Sequence, residues 1–379
     1  MLVRQSVFTR LDAAALHELA EIEPNLVLVF AAPRFFAEPD FSAQLAAAFP
    51  GARRVALSTA GEISSRGVSE DSAVISAIRF ERTPIKLAAT DIAGMADSAG
   101  AGQRLARQLR APDLKAVILL SQGVAVNGSD LIAGFVSVLG KNIPLTGGLA
   151  GDNGAFTRTW VLLDDDVSNR LMLAIGLYGD AINFAHGSFG GWQSFGPARR
   201  ATKVAGNVLY ELDGEPALEI YKRYLGEYAE GLPASGLLFP FAILSDDRQE
   251  TGLIRTLLGV NESDGSLTLA GDIPAEGYLK LMHASTEALI DGAEAAAEAA
   301  RRMLDSDEPG LALLVSCIGR KLVMGDRVDE EVEAVGAVFG RQCALTGFYS
   351  NGEISPFIES TECKLHNQTM TITYLSEKA

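Results

Sequence analysis

The chain has 379 residues, of which 48% are hydrophobic and 21% are charged, and its formal net charge is -16. This length exceeds what a single hydrophobic core usually covers, so we expect two domains of ordinary globular composition. No Lys/Arg cluster offsets the negative charge, which argues against binding to nucleic acid or to an anionic membrane surface.

The sequence carries no sign of export or membrane insertion. Residues 1–10 lack the apolar segment of a signal peptide, and an apolar run such as 171–178 is far shorter than the roughly 20 residues that a membrane span needs. The three cysteines, Cys317, Cys343 and Cys363, are an odd number without the spacing of a disulfide framework. These features predict a protein of the reducing cytoplasm.

One small unit occurs three times along the chain, within residues 26–64, 117–152 and 313–355. Each copy has a short apolar strand, a loop of small residues, a helix and a second strand that ends in a glycine motif. The first and third copies share the sequence Gly-Glu-Ile-Ser. Because a helix between two strands is typical of a parallel crossover, we predict an α/β fold of repeated strand-helix-strand units with mixed sheets, in two related modules packed together.

Apolar residues at helical spacing predict seven helices. They cover residues 12–22, 41–49, 101–109, 131–139, 215–225, 289–304 and 329–339. Residues 160–163 and 171–177 are predicted to pair as a hairpin. Residues 187–282 depart from the repeat, and we place a domain boundary there, dividing the chain into 1–220 and 221–379.

Ordered sequence blocks resemble those of the FIST domain family, with its N-terminal and C-terminal modules together. The blocks lie at 58–63, 145–152 and 205–217 for the first module, and at 239–242, 271–277, 316–320, 347–354 and 365–369 for the second. The resemblance covers nearly the whole chain.

The resemblance implies an intracellular sensory domain for a small molecule, and the carboxylates described below would suit the amine of an amino acid. Domains of this family occur with histidine kinases, cyclic-dinucleotide enzymes and chemotaxis receptors, and a subset binds haem and senses nitric oxide. Because no kinase, cyclase or coiled-coil segment is recognisable here, we expect a stand-alone sensor that signals to a separate partner.

Two carboxylates follow the glycines that end the first and third repeats. Glu62 and Glu353 are expected at equivalent turns beside a crevice formed by the strand ends. Each either holds a cationic group of a ligand or accepts backbone hydrogen bonds and fixes its turn.

The third repeat supplies the other predicted ligand-binding residues, Cys317, Arg320, Tyr349 and Asn367. Arg320 is expected either to clamp a ligand carboxylate or to pair with Glu353. A thiolate at Cys317, with His366 as base and Glu353 as orienting group, would instead suit an amidase or transferase.

Three histidines, His186, His283 and His366, are the candidate axial ligands if the chain binds haem. His186 is expected in a flexible aromatic loop. No metal-binding spacing such as His-x3-His or Cys-x2-Cys occurs, so we predict no metal site. The leading hypothesis is a small-molecule sensor, with a haem-based gas sensor and a thiol enzyme as alternatives.

Overall fold

The computed structural model describes residues 1–304, 308–356 and 362–378. In this part of the chain, three units of the same design each contain a parallel strand pair joined through a helix. The predicted α/β architecture of repeated units with mixed sheets is therefore confirmed.

The first unit begins with an edge strand and ends with a strand antiparallel to it. Its elements are β1 (Leu2–Phe8), α1 (Ala13–Ala20), β2 (Leu26–Ala31), α2 (Phe41–Ala48), β3 (Arg53–Ser58), β4 (Glu62–Ser64), β5 (Gly67–Ser69) and β6 (Ala73–Arg79).

The second unit repeats this order. Its elements are β7 (Ile85–Asp91), α3 (Ser98–Leu109), β8 (Leu114–Ser121), α4 (Gly128–Leu139), β9 (Leu145–Leu149), β10 (Val161–Leu163), β11 (Asp166–Ser168) and β12 (Leu171–Tyr178).

The third unit begins with β13 (Ile182–Phe189) and is then interrupted by an insertion that forms a sheet of its own. The insertion comprises β14 (Gln193–Ala205), β15 (Val208–Leu212), β16 (Glu215–Pro216), α5 (Ala217–Leu225), β17 (Phe241–Leu244), β18 (Glu250–Arg255), β19 (Leu257–Asn261), β20 (Ser266–Leu269) and β21 (Tyr278–His283). Below we call it the inserted domain.

The third unit then resumes with the strand pair and helices that match the other two units. These elements are α6 (Thr286–Arg302), β22 (Gly310–Cys317), α7 (Ile318–Met324), α8 (Val328–Phe339), β23 (Cys343–Ser350), β24 (Gly352–Pro356), β25 (Cys363–His366) and β26 (Met370–Glu377). The helices predicted from apolar spacing are confirmed in all three units and in α5.

Each unit passes its hairpin to the sheet of another unit. Hairpin β4–β5 pairs with β23, hairpin β10–β11 pairs with β3, and hairpin β24–β25 pairs with β9. The predicted pairing of residues 160–163 with 171–177 is wrong, because β10 turns back into β11 while β12 lies between β7 and β8 in a different sheet. The pairing of β4 with β23 and of β24 with β9 joins the two predicted modules by backbone hydrogen bonds into shared sheets.

The three sheets face one another across a common apolar core. Leu28, Ile118 and Leu313 come from the three central strands and are at most 2% exposed, and Phe30 stacks on Phe348 with ring centroids 4.7 Å apart. The outer face of each sheet is covered by helices, α1 and α2, α3 and α4, or α6 and α8. Burial on both faces explains why the central strands are continuously apolar.

The described helices include none that is both apolar enough and long enough to cross a membrane.

Gly347 in the third repeat lies where two parallel strands approach each other closely. A β-carbon on Gly347 in β23 would collide with the carbonyl oxygen of Leu314 in β22, whereas one on Gly336 in α8 would meet only the Leu345 side chain, at 3.5 Å. We expect Gly347→Ala to lower the free energy of unfolding by more than about 2 kcal/mol, while Gly336→Ala is neutral or stabilising, since alanine favours a helix. Urea denaturation of both variants measures this, and equal effects would contradict the strand packing.

Candidate functional site

A small-molecule-sized cavity lies where the second unit, the exchanged hairpin β24–β25 and the inserted domain meet. This intermodule cavity has a volume of about 260 Å³. It is lined by Met95, Gly123, Val124, Val126, Asn127, Gly128, Leu149, Phe156, Asn207, Leu258, Leu269, Ala270, Gly271, Asp272, Asn351, Leu365 and Asn367.

Two asparagines supply the cavity's polar wall. Asn351 joins β23 to β24, and its Nδ2 donates to the carbonyl of Gly123 at 3.4 Å. Asn367 follows β25 and is 2% exposed. The Oδ1 atoms of both side chains are buried and accept no hydrogen bond from any described residue. A buried acceptor without a donor costs about 1–3 kcal/mol, so these atoms mark a place where a ligand donor would be stabilising.

The loop before α4 forms the opposite wall. Asn127 caps this helix, because its side chain accepts from the backbone N–H groups of Ser129 and Asp130. Gln122 holds the loop by accepting from the N–H groups of Val124 and Ala125. The start of α4 therefore lies at the cavity, because Asn127 and Gly128 are among its lining residues.

The predicted carboxylates occupy equivalent buried turns beneath the crevice. Glu62 accepts from Thr59 and from the backbone and hydroxyl of Ser72, and Glu353 accepts from Ser350 and from the backbone and hydroxyl of Thr369. Both are completely buried. Burial raises the pKa of Glu62, and it raises the pKa of Glu353 to about 8 despite these hydrogen bonds.

Only one of the two turns needs the conformational freedom of glycine. Gly61 has a φ of 136°, whereas the φ of Gly352 is not positive. Gly352 lies close to the side chains of Leu149 and Leu365. Neither Glu62 nor Glu353 lines the intermodule cavity, so the geometry favours their turn-fixing role.

Arg320 belongs to a buried network in the third unit. It pairs with Glu331 at 2.7 Å, with both side chains fully buried, and donates to the carbonyls of Gly190 and Leu289. Glu331 also accepts from Ser316 and Tyr349. The expected pairing of Arg320 with Glu353 is thus replaced by a pairing with Glu331, and the Arg320 guanidinium and Tyr349 hydroxyl are engaged within the protein.

Cys317 does not have the surroundings of an activated thiol. It occupies the N-cap position of the short helix α7 without a capping hydrogen bond from its side chain, and it is 4% exposed. Burial raises the pKa of its thiol, and the nearby Glu353 adds to the effect. A nucleophilic cysteine requires the opposite shift. The arrangement therefore offers no support for the thiol-enzyme alternative.

The histidines lie in three separate places. His186 is buried within β13, not in the flexible loop expected for it, and burial lowers its pKa to about 4. His283 is exposed at the end of β21, with its ring 5.5 Å from that of Phe195. His366 borders a second cavity of about 470 Å³, and its Nε2 lies 3.0 Å from the Ser355 carbonyl oxygen.

These surroundings give no support for a haem site. The one of the three histidines that borders a described cavity already has its Nε2 beside a carbonyl, and the other two have no described cavity against them. Among the described residues there is also no group of three or more His, Cys, Asp or Glu side chains placed to hold a metal ion.

Of the residues predicted to bind ligand, Asn367 alone lines the intermodule cavity. Sequence reasoning missed Asn351, Asp272 and the cap Asn127. Asn351 lies inside a block that the resemblance had already marked, between Ser350 and Gly352, so its position at a strand end was an available signal.

The fold is that of a two-module α/β protein with a cavity between its modules. The FIST N domain model matches residues 25–215 and the FIST C domain model matches residues 217–356. The chain belongs to the FIST family. FIST domains are associated with sensory signal transduction. The family division falls just before α5, whereas the division predicted at 220/221 lies within that helix.

Two further similarities are more limited. An uncharacterized protein of Methanocaldococcus jannaschii is 33% identical over 97 residues, which are 25% of this chain and 19% of that protein. The chain thus matches about a fifth of that relative's length. The crystal structure of a cyanuric acid hydrolase from A. caulinodans aligns over 100% of this chain and 99% of its own, with 9% identity and a TM-score of 0.37.

The raised pKa of Glu353 predicts a pH-dependent stability. In the folded chain this carboxyl keeps its proton up to about pH 8, but in the unfolded chain it loses the proton near its ordinary pKa of 4.5. The folded state therefore binds more protons between these values, and its stability falls as pH rises through that window. We expect Glu353→Gln, which cannot ionise, to gain stability relative to the wild type from pH 5 to pH 8.

Thermal unfolding of both proteins across this range measures the difference. His186 and His366 have lowered pKa values, and their contributions to the pH dependence of stability have the opposite sign. These contributions are present in both proteins and therefore cancel in the comparison. A difference in melting temperature that stays constant with pH would show that Glu353 is ionised in the folded chain.

The Arg320–Glu331 pair predicts a large loss on truncation. Arg320→Ala leaves Glu331 buried without its cation, which typically costs about 3–5 kcal/mol. The control is Arg302→Ala, because Arg302 pairs with Glu298 on the exposed face of α6, where an ion pair contributes less than about 1 kcal/mol. Denaturant unfolding compares the two. If Arg320→Ala left the free energy of unfolding unchanged, the ion pair would not stabilise the fold. The predicted ligand-binding role of Arg320 would then stand.

Proposed function

We propose that this chain is a cytoplasmic sensory protein that binds a small molecule, of about amino-acid size, in the intermodule cavity and signals to a separate partner. The observation that carries the proposal is the pair of buried, unpartnered amide oxygens on Asn351 and Asn367 at a cavity of about 260 Å³. Such a cavity, mostly apolar with a few convergent polar groups, is the usual form of a small-molecule site.

The cavity's position suggests how binding would become a signal. Leu149 and the 123–128 loop belong to the N-terminal module, while Gly271, Asp272 and Asn351 belong to the C-terminal module. A ligand that contacts both walls binds best to one arrangement of the modules and so increases its population. A histidine kinase, a cyclic-dinucleotide enzyme or a chemotaxis protein would read that difference.

The cysteines support the cytoplasmic part of the proposal. Cys317, Cys343 and Cys363 are all buried and unpaired. Buried free thiols of this kind are typical of proteins kept in a reducing compartment.

Substitution of the two asparagines tests the site. In a thermal-shift screen of metabolites that includes the amino acids, we expect a saturable ligand, followed by calorimetric measurement of its Kd. Asn351→Ala and Asn367→Ala each remove one hydrogen-bond acceptor, which should weaken binding about 10- to 100-fold.

The matched control is Asn183→Ala, because Asn183 lies on β13 and donates to Ser376, away from the cavity. Wild-type affinity in all three variants would place the ligand elsewhere. Turnover of the bound molecule would instead make the chain an enzyme.

A further inference from the structure

The walls of the intermodule cavity carry charge of one sign. Among its 17 described lining residues, Asp272 is the one with a charged side chain, and no Lys, Arg or His lines it. A site for a carboxylate or phosphate usually offers a cation or open backbone N–H groups. Here the N–H groups of Ser129 and Asp130 at the start of α4 are already bonded to Asn127.

A second carboxylate faces Asp272 from the other module. Asp130 lies in the first turn of α4, two residues beyond the lining residue Gly128. Partial burial raises the pKa of Asp130, and the negative charge of Asp272 raises it further. Neither forms an ion pair with any other described residue.

The nearest cation is turned toward the protein interior. Arg255 is 5% exposed and donates to the carbonyl oxygens of Asp272, Ile254 and Leu365. It offsets part of the charge of Asp272 but does not line the cavity. The two carboxylates carry more negative charge than the one buried guanidinium of Arg255 offsets. This part of the cavity is therefore negatively charged.

The lining also offers unpartnered acceptors and apolar surfaces. The amide oxygens of Asn351 and Asn367 need donors, Phe156 offers a partly exposed ring, and Leu149, Leu258 and Leu365 form apolar walls. An ammonium group suits this set, because it has three donors and no acceptor and is attracted to carboxylates and to aromatic faces.

We propose that the ligand is an organic amine: an apolar chain bearing a primary ammonium group, held by Asn351 and Asn367 and drawn in by Asp272 and Asp130. This rests on the proposed function and narrows its ligand class, because the ammonium group is required and an anionic group is not. By reducing the repulsion between Asp130 and Asp272, the bound cation would also bring the two modules closer.

Three probes of equal length separate charge from shape: n-pentylamine, n-pentanol and n-pentanoate. Ligand-observed NMR titration of the full chain at low salt measures their affinities. We expect the amine to bind about tenfold more tightly than the alcohol, and the carboxylate to bind most weakly. Asp272→Asn should weaken amine binding several-fold without changing alcohol binding.

The matched control is Asp291→Asn, an exposed aspartate on α6 that lies outside the cavity lining. A loss of amine affinity in Asp272→Asn but not in Asp291→Asn supports the proposal. Equal binding of amine and alcohol, or preferred binding of pentanoate, overturns it while leaving the cavity a ligand site.

Binding of none of the three probes also overturns the amine proposal. The metabolite screen then decides the wider question. A ligand that depends on Asn351 and Asn367 keeps the proposed function, and the absence of any ligand removes both proposals together.

Discussion

The structure depends on one apolar core to which all three units contribute. Leu28, Ile118 and Leu313 meet there from three different sheets, and each sheet is completed by a hairpin from another unit. A unit alone would expose its own share of this core and an unpaired strand edge. No unit is therefore expected to fold independently. The turns at which the chain leaves one sheet for the next are therefore fixed, and those turns are where Glu62 and Glu353 lie buried.

Sequence periodicity predicted the parts of the fold that are local. Helices such as α6 and the strand pairs of all three repeats follow from spacing within a few dozen residues. The exchange of hairpins does not, since β10 pairs with β3 more than a hundred residues earlier, and no local pattern distinguishes this from pairing with β12. Strand order across units is decided by burial in the shared core, which only the folded chain has.

Prediction of the candidate site was limited in the same way, because only its local features could be predicted from the sequence. Glu353 and Arg320 were visible as polar residues at strand ends, but their partners, Thr369 and Glu331, are supplied by other elements and account for them structurally. Asn367 was predicted to bind ligand and Asn351 was not, yet the structure gives both the same feature, a side-chain oxygen that accepts no hydrogen bond from any described residue. An absent partner cannot be read from a sequence, because it depends on everything packed around the atom.

The insertion between β13 and α6 has a further consequence. The inserted domain lies over the strand ends beside β9 and α4 and supplies Asn207, Leu258 and residues 269–272 to the lining of the intermodule cavity. The turns at Glu62 and Glu353 are held instead by hydrogen bonds from the protein's own hydroxyls. A frame of three similar units thus gains a cavity wall that is not part of the frame. Because that wall contributes nothing to the common core of the three sheets, its residues can change while the frame stays the same.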